Sequence, residues 1–323
     1  MNAGEHDHAV ELTSCPNCHS SLASTVNVGA HQLRRCQDCG LVYAPRYLDP
    51  AKLYVEGYHS GGCGDFGVDV SLPAWQDFLD FVGERRLDML DAMARPPGRL
   101  LDVGCGTGNT LHAAALRGWD TVGVELVPSA VEAAVERFGL DVRNCTLEES
   151  GLEEESFDVV ATCHVLEHMA DANGFLSSIA RWIKPGGLLF VEVPNWNSMD
   201  RRAHADAWYG FRPLEHVGHY TPRTLARTLR RVGLRPVALR TPFYRRDDQT
   251  VGQILTDLGL SRLHPTLIRR PFSVPLPQGD VILRGPNALM RQAFNAVGWA
   301  ESAARTGVVI VMMAEAGRSS AGR

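Results

Sequence analysis

An α/β fold built on a doubly wound, mostly parallel sheet is predicted by three features of the sequence. Apolar runs of strand length alternate with helical patterns from residue 99 to 241. The first run, LLDVGCGTGN (100–109), falls into three glycines, Gly104, Gly106 and Gly108, as a strand does when it turns into a helix against a ligand. The break Pro96-Pro97-Gly98 separates that run from a preceding helix.

Taken in order, residues 73–94 place Trp75, Phe78, Leu79, Val82, Leu87 and Leu90 on one helical face. The strands expected next are Arg99–Val103, Thr121–Glu125, Leu140–Arg143, Phe157–Thr162 and Leu188–Val193. Helices are expected at Thr107–Arg117, Ser129–Phe138 and Asp171–Ile183, which implies right-handed crossovers. Thr221-Pro222-Arg223 reads as an N-cap with proline at the first helical position, opening TLARTLRRVGL. Arg235–Thr241 and Gly307–Ala314 add two strands, for a seven-stranded sheet. The segment between them, with several prolines and an apolar helix near 288–300, fits no standard crossover and reads as a lid or an oligomer contact, as in a homodimer.

The 323 residues suit one large domain, or one medium domain with attachments. A hydrophobic content of 45% is ordinary for a globular protein with a real core. The net charge of −5 gives no reason to expect general affinity for nucleic acid or anionic membrane. Charge is uneven: 148–155 (EESGLEEE) is acidic and 201–246 is dense in arginine, a solvated helix surface or a local anion-binding face. The N-terminus lacks a basic n-region and an apolar h-region, and no stretch approaches the ~18 apolar residues of a membrane span. Eight cysteines without an export signal favour thiols or metal over disulfides, so a cytoplasmic location is expected.

The glycine turn discriminates between ligands. A dinucleotide fingerprint requires G-x-G-x-x-G, but here the third glycine comes one residue early and Asn109 occupies its place. Asp102, two residues before the first glycine, would repel a pyrophosphate at short range. A cationic ligand such as S-adenosylmethionine, with a sulfonium and an α-ammonium, reverses that sign. Glu125, ending the second strand, is placed to accept from ribose hydroxyls.

These residues resemble class I S-adenosylmethionine-dependent methyltransferases, a Rossmann-like family. LDVGCGTG is similar to its first motif, VELVPSAVEAA to the acidic second strand and its helix, and FDVVATCHVLEHM to the fourth strand and turn. IKPGGLLFVEVPN resembles the approach to the fifth strand, and EHVGHYTPRTLARTLRRVGL a segment of many small-molecule members. The resemblance covers about 99–241, with a further strand at 307–314. It implies that Gly104, with Gly106 and Gly108, contacts the methionyl part, and that Glu125 and Leu126 contact the ribose side. It further implies that Thr146 and Leu147 lie near the adenine, and that Cys163 and His164 line the methionyl and substrate side.

Cys15-Pro-Asn-Cys18 and Cys36-Gln-Asp-Cys39 form a C-x2-C…C-x2-C set, whose four thiolates suit tetrahedral Zn²⁺ in a segment with little core of its own. Four protein ligands leave no open position, so the site is structural. The stretch CQDCGLVYAPRYLDPAKLYVEGYHSG resembles the zinc-ribbon leader of many bacterial small-molecule methyltransferases. Its Tyr43, Tyr54, Tyr58 and His59 either wall the cofactor cleft or pack on the helix at 75–90. The expected organisation is a disordered leader (1–12), a zinc ribbon (13–45), a linker and helix (46–98), the cofactor-binding core (99–241), an insertion (242–306), and a final strand and tail (307–323).

Methyl transfer is an in-line displacement on a sulfonium, so much of the catalysis is alignment, with a base needed only when the nucleophile carries a proton. His164 lies with Glu167 and His168 in HVLEHM at a strand's carboxyl end, where ligands of α/β folds bind. His216 and His219 lie in EHVGHY. The three histidines His164, His216 and His219 are the candidate bases, against hydrogen-bonding or capping roles. H-x-x-E-H also admits a divalent ion, although as text it matches an inverted zinc-protease motif that belongs on an established helix. No N/D-P-P-Y/F follows the fourth strand, and Cys163 is not preceded by proline, which sets aside base-modifying enzymes.

The expected function is methylation of a small molecule, foremost O-methylation in secondary-metabolite or cell-surface sugar biosynthesis. A C- or N-methyltransferase and a zinc-ribbon RNA methyltransferase are the alternatives. The RNA reading wants a basic ribbon, but residues 13–45 carry only Arg34 and Arg35. A cofactor-binding scaffold is the non-enzymatic alternative, opposed by intact Asp102, Gly104, Gly106 and Glu125.

Overall fold

The structure, a computed structural model, describes residues 9–49, 73–93, 96–242, 272–275, 281–284, 305 and 307–317. Its N-terminal part contains β1 (Ala9–Glu11), β2 (Ala23–Val28), β3 (His31–Cys36), β4 (Val42–Tyr43) and β5 (Arg46–Leu48). The central part runs through α1 (Pro73–Asp91), β6 (Arg99–Val103), α2 (Asn109–Leu116), β7 (Asp120–Val124), α3 (Pro128–Phe138), β8 (Val142–Arg143), β9 (Phe157–Cys163), α4 (Ala172–Trp182) and β10 (Ile183–Pro194). Then follow α5 (Met199–His204), β11 (Gly218–His219), α6 (Pro222–Arg231), β12 (Arg235–Arg240), β13 (Phe272–Pro275), β14 (Val281–Arg284) and β15 (Val309–Glu315).

Seven strands form the central sheet in the order β12-β15-β10-β9-β6-β7-β8. β10, β9, β6, β7 and β8 run parallel, while β15 lies antiparallel between β10 and β12. Both faces of the middle strands are covered, which is why they read as continuous apolar runs rather than as alternation. Leu101, Val103, Val160 and Val191 pack against Leu176 and Ile179 of α4 and Leu225 and Leu229 of α6. Leu100, Val159 and Phe190 point the other way, onto Val82, Leu87 and Leu90 of α1 and Leu111 of α2. The apolar stripe expected on the first helix is thus the surface that closes the second layer.

The ribbon is not a free-standing unit. β2, β3 and β4 form an antiparallel sheet whose fourth strand is β11, from the far end of the core, with Gly218 opposite Tyr43 and His219 opposite Val42. Cys15, Cys36, Cys39, Leu41 and Tyr43 belong to the same buried cluster as α4 and α6. The Pro16 carbonyl accepts from Ala172 N–H (3.1 Å) and the Asn17 carbonyl from Asn173 Nδ2 (2.7 Å), so the first cysteine turn caps the start of α4. The sheet of the ribbon expected at 13–45 thus also takes in residues 218–219. Ala9–Glu11 falls in the leader expected to be disordered, yet as β1 it pairs with β5, Ala9 opposite Leu48.

In the segment 242–306, β13 pairs antiparallel with β14. Tyr54, Tyr58, His59, Cys63 and the helix expected near 288–300 lie outside the described residues, as does most of that insertion.

The cap expected at Thr221 is a complete capping box: its hydroxyl accepts from Thr224 N–H (3.2 Å), and its own N–H donates to Thr224 Oγ1 (2.8 Å). Thr221→Ala is expected to cost about 1 kcal/mol, read as a lower urea midpoint at unchanged slope.

Candidate active site

The glycine turn joins β6 to α2 at the carboxyl end of the parallel strands. Gly106 has φ +54°, and a Cβ there would meet nothing within 4 Å, so its left-handed backbone faces open space where a ligand can lie against it. Gly108, at φ +78°, caps α2, and a Cβ there would come within 2.6 Å of Leu140 Cδ1. Gly104 donates its N–H to the Val124 carbonyl (2.9 Å), which fastens the turn to β7.

Glu125 holds the same turn by its carboxylate. Oε2 accepts from Gly106 N–H (2.9 Å), and Oε1 from Leu126 N–H (2.8 Å) and Val127 N–H (3.0 Å). Three backbone donors fill most of the roughly four lone-pair sites of a carboxylate. Asn144 Nδ2 reaches the Glu125 carbonyl (2.9 Å) and brings the loop after β8 to the same edge. In that loop Thr146 is exposed and bonded to Glu149 Oε2 (2.8 Å), but Leu147 is turned into the core. Leu126 is exposed beside the crevice.

Asp102 is the anomaly. It is 2% exposed, and its Oδ1 has no hydrogen-bond partner among the described residues. Burial pushes its carboxyl up to about 6; Arg86 opposes the rise, and Glu125 and Glu192 add to it. A buried carboxylate oxygen without a donor is costly. Cys163, at the end of the adjacent β9 and opposite Glu192, is also buried, and desolvation pushes its thiol well up, which disfavours the thiolate.

Beside Asp102 lies a charge network that the sequence reading missed. Glu192 Oε1 accepts from Arg86 Nη2 (2.6 Å) and Nε (3.2 Å), and Arg86 Nη1 donates to Thr110 Oγ1 (2.9 Å). His164 Nε2 lies 3.1 Å from the same Glu192 oxygen, and its Nδ1 lies 3.1 Å from Glu167 Oε1. Burial works against charge on His164, but the two glutamates outweigh it and raise its pKa to about 9. Burial likewise raises Glu192, and Arg86 and His164 overcome that to bring it down to about 2. His164 is therefore an imidazolium at neutral pH with both ring nitrogens engaged. It has no lone pair for a substrate proton, which removes it from the candidate bases. The missed residues had a signal: Glu192 is the lone acid in LLFVEVP, and Arg86 sits four residues from both Val82 and Leu90, on the apolar face of α1.

The other histidines separate by environment. His219 packs against Trp196 (ring centroids 4.7 Å) and Phe211 (5.8 Å), and burial lowers its pKa to about 3, so it is an aromatic core residue rather than a base. His216 is buried too, and burial, with His168 next to it, holds its pKa well below the usual imidazole range. Its Nδ1 lies 2.9 Å from the Gly210 carbonyl, which only accepts; Nδ1 therefore carries the proton and Nε2 keeps the lone pair. Glu167, His168 and His216 offer ligand atoms within 4.8 Å of one another, and Glu167 Oε2 has no hydrogen-bond partner among the described residues. His164, the first residue of H-x-x-E-H, is not part of that trio.

In the ribbon, Cys15 Sγ lies 3.5 Å from Cys39 Sγ and Cys18 Sγ 3.4 Å from Cys36 Sγ, and all four sulfurs fall within 4.8 Å of one another. Zn–S bonds of about 2.3 Å would set such sulfurs roughly 3.8 Å apart, so the cage fits the ion.

A model of the methyltransferase domain family matches residues 74–239, from α1 through β12. The chain belongs to the class I S-adenosylmethionine-dependent methyltransferases. It is 39% identical over 126 residues to a ubiquinone biosynthesis O-methyltransferase of Hahella chejuensis, covering 37% of this chain and 53% of that protein. It is 36% identical over 150 residues to a protein of the same name from Cereibacter sphaeroides, covering 43% and 61%. The match thus spans little more than half the length of these relatives. Among solved structures, the Burkholderia thailandensis 1,6-didemethyltoxoflavin-N1-methyltransferase is similar over 91% of this chain and all of its own, at 16% identity and TM-score 0.47, too distant to bear on substrate.

Two measurements test this methyltransferase's charges. Asp102 titrates higher folded than unfolded, so its destabilisation is complete above about pH 6 and relieved as pH falls through that value. Asp102→Asn is expected to stabilise the fold above pH 6, by on the order of 3 kcal/mol at most, while weakening calorimetric binding of S-adenosylmethionine at least tenfold. His164 has the opposite linkage: its stabilisation is full below about pH 6.5 and lost as pH rises through about 9. A fall in melting temperature between pH 7 and 9.5 that is absent from His164→Gln is the expected result.

Proposed function

We propose that this methyltransferase O-methylates a small molecule, with Asp102 and the Gly104–Gly108 turn holding S-adenosylmethionine and His216 taking the acceptor's proton. The observation that carries the cofactor assignment is the buried, unpartnered Asp102 oxygen beside the open backbone of Gly106. S-adenosylmethionine, when bound, supplies a methyl group on a sulfonium. Glu125 fixes the turn through its three backbone bonds, and a free lone-pair site faces the ribose side.

The acceptor's oxygen is supported by the relatives, named O-methyltransferases, and by a site that offers a neutral imidazole for a hydroxyl proton. His216 Nε2 receives that proton, the Gly210 carbonyl fixes the tautomer, and Glu167 steadies the charge as it forms. His216 is neutral at pH 7, and because burial makes it a weak base, transfer depends on the Glu167 carboxylate facing the imidazolium as it forms. The acceptor's pathway is read from the family resemblance as secondary-metabolite or cell-surface sugar biosynthesis. The four cysteines hold structural Zn²⁺, which suits a reducing cytoplasm. Among the described residues no helix is long and apolar enough to cross a membrane.

A second reading follows from the spacing of Glu167, His168 and His216: a divalent ion there would polarise the acceptor hydroxyl, with His216 a ligand instead of a base. Metal analysis separates the two. Under the base reading the chain carries one zinc, lost in a Cys15→Ser/Cys36→Ser variant; a second equivalent that survives this variant would favour the ion. In a screen of hydroxylated acceptors with isotopically labelled methyl donor, His216→Gln is expected to slow turnover at least 100-fold with unchanged cofactor affinity. Full activity in that variant would overturn the assignment of the base.

A further inference from the structure

The residues flanking His216 are joined to the ribbon on both sides, while His216 N–H itself donates to the Arg212 carbonyl (2.9 Å). Ala44 N–H donates to the Val217 carbonyl (2.9 Å), and Leu48 N–H donates to the Leu214 carbonyl (2.7 Å). β4 pairs with β11 at Tyr43–Gly218 and Val42–His219. One ribbon segment, 42–48, carrying β4 and β5, therefore clamps residues 214–219 from both sides of His216. The strand is itself set by the second cysteine turn: Cys36 N–H donates to the Leu41 carbonyl (2.9 Å), Gly40 N–H to the Cys36 carbonyl (3.0 Å), and Cys39 N–H lies 3.5 Å from Cys36 Sγ. Arg227 of α6 closes the turn by donating to the Cys39 carbonyl (3.1 Å).

Tyr220, one residue past β11, is buried between the two sites, and the Cys15 and Cys39 sulfurs and the Glu167 carboxylate all bear on it. A bound cation would tie the four sulfurs into one rigid cage. Without it they are neutral thiols, and the turn that starts β4 is held only by the hydrogen bonds named above. The cofactor crevice takes no bond from the ribbon among those described: the bonds that hold Gly104, Gly106 and Glu125 come from β7 and its own turn, and those about Glu192 come from α1 and from His164 in the turn after β9.

We infer that the four-cysteine metal centre is a positioning element for the acceptor side of the site: through β4 it fixes the strand segment that carries His216, and its loss frees that segment while leaving the cofactor crevice intact. The inference rests on the acceptor-side reading of His216, but its test does not depend on turnover.

Two full-length variants separate the links. Cys36→Ser/Cys39→Ser removes the metal. Ala44→Pro keeps every ligand but deletes the donor that bonds Val217. In both, deuterium exchange at amides 214–219 is expected to rise about tenfold or more. The His216 ring N–H, whose bond to the Gly210 carbonyl is expected to make it visible in the proton NMR spectrum of the native chain, should disappear from that spectrum. Calorimetric affinity for S-adenosylhomocysteine, the probe for the crevice, should stay within about twofold of the unaltered chain, and zinc should remain bound in Ala44→Pro only. Unchanged protection at 214–219 in either variant overturns the inference, whatever His216 does in catalysis. Loss of S-adenosylhomocysteine binding or global unfolding in either also overturns it, because the ribbon would then be a staple for the whole chain.

Discussion

One buried oxygen, Glu192 Oε1, accepts from Arg86 and meets His164, and through them it joins four elements: β10, α1, the turn after β9 and, by way of Arg86 and Thr110, α2. A lone buried carboxylate would be neutralised by protonation; this one stays ionised because two cations face it. Removing either partner leaves an uncompensated charge in the interior, which costs more than the pair contributes when intact. The geometry of the crevice is therefore fixed by charge as much as by apolar packing.

Apart from Glu125, whose carboxylate three backbone N–H groups face, three carboxylates among the described residues, Asp102, Glu167 and Glu192, meet two cations, Arg86 and His164. The deficit appears at Asp102, whose pKa is driven up to about 6 and whose Oδ1 has no donor among the described residues. On the proposed reading a cationic cofactor completes the balance, and the same deficit makes the empty crevice hostile to a pyrophosphate. Asp102 thus shares its charge balance with Arg86 and Glu192, which lie far from it in sequence.

What was legible and what was not follows the range of each interaction. Strand and helix limits along 99–241 fall within a few residues of those expected, because apolar period, proline at a helix start and the glycine turn are local signals. The four cysteines likewise carry their spacing with them. Arg86 and Glu192 stand 106 positions apart, and nothing near either announces the other. The pairing of β11 with β4 is also remote, since two-residue strands leave no period to read. For His164 the residue was found but its protonation was not: a histidine in HVLEHM looks like a base until two carboxylates are seen on its two nitrogens.

His164 shows how the local and remote constraints meet. Its φ of +57° is uncommon for a residue with a Cβ and costs on the order of 1–3 kcal/mol. In that conformation its N–H donates to the Glu192 carbonyl (2.9 Å) while its ring bridges Glu192 and Glu167. Hydrogen bonds to charged groups contribute about 1.5–3 kcal/mol each, so the two ring contacts offset the strain, with solvent at 37% exposure trimming the gain. A relaxed, extended His164 would lose at least one carboxylate and leave Glu167 without its cation. Glu167 also stands beside His168 and His216, so the strained residue ties the charge balance of the cofactor crevice to that of the acceptor side. That link runs through β10 and the turn after β9, and not through the ribbon strands that hold residues 214–219.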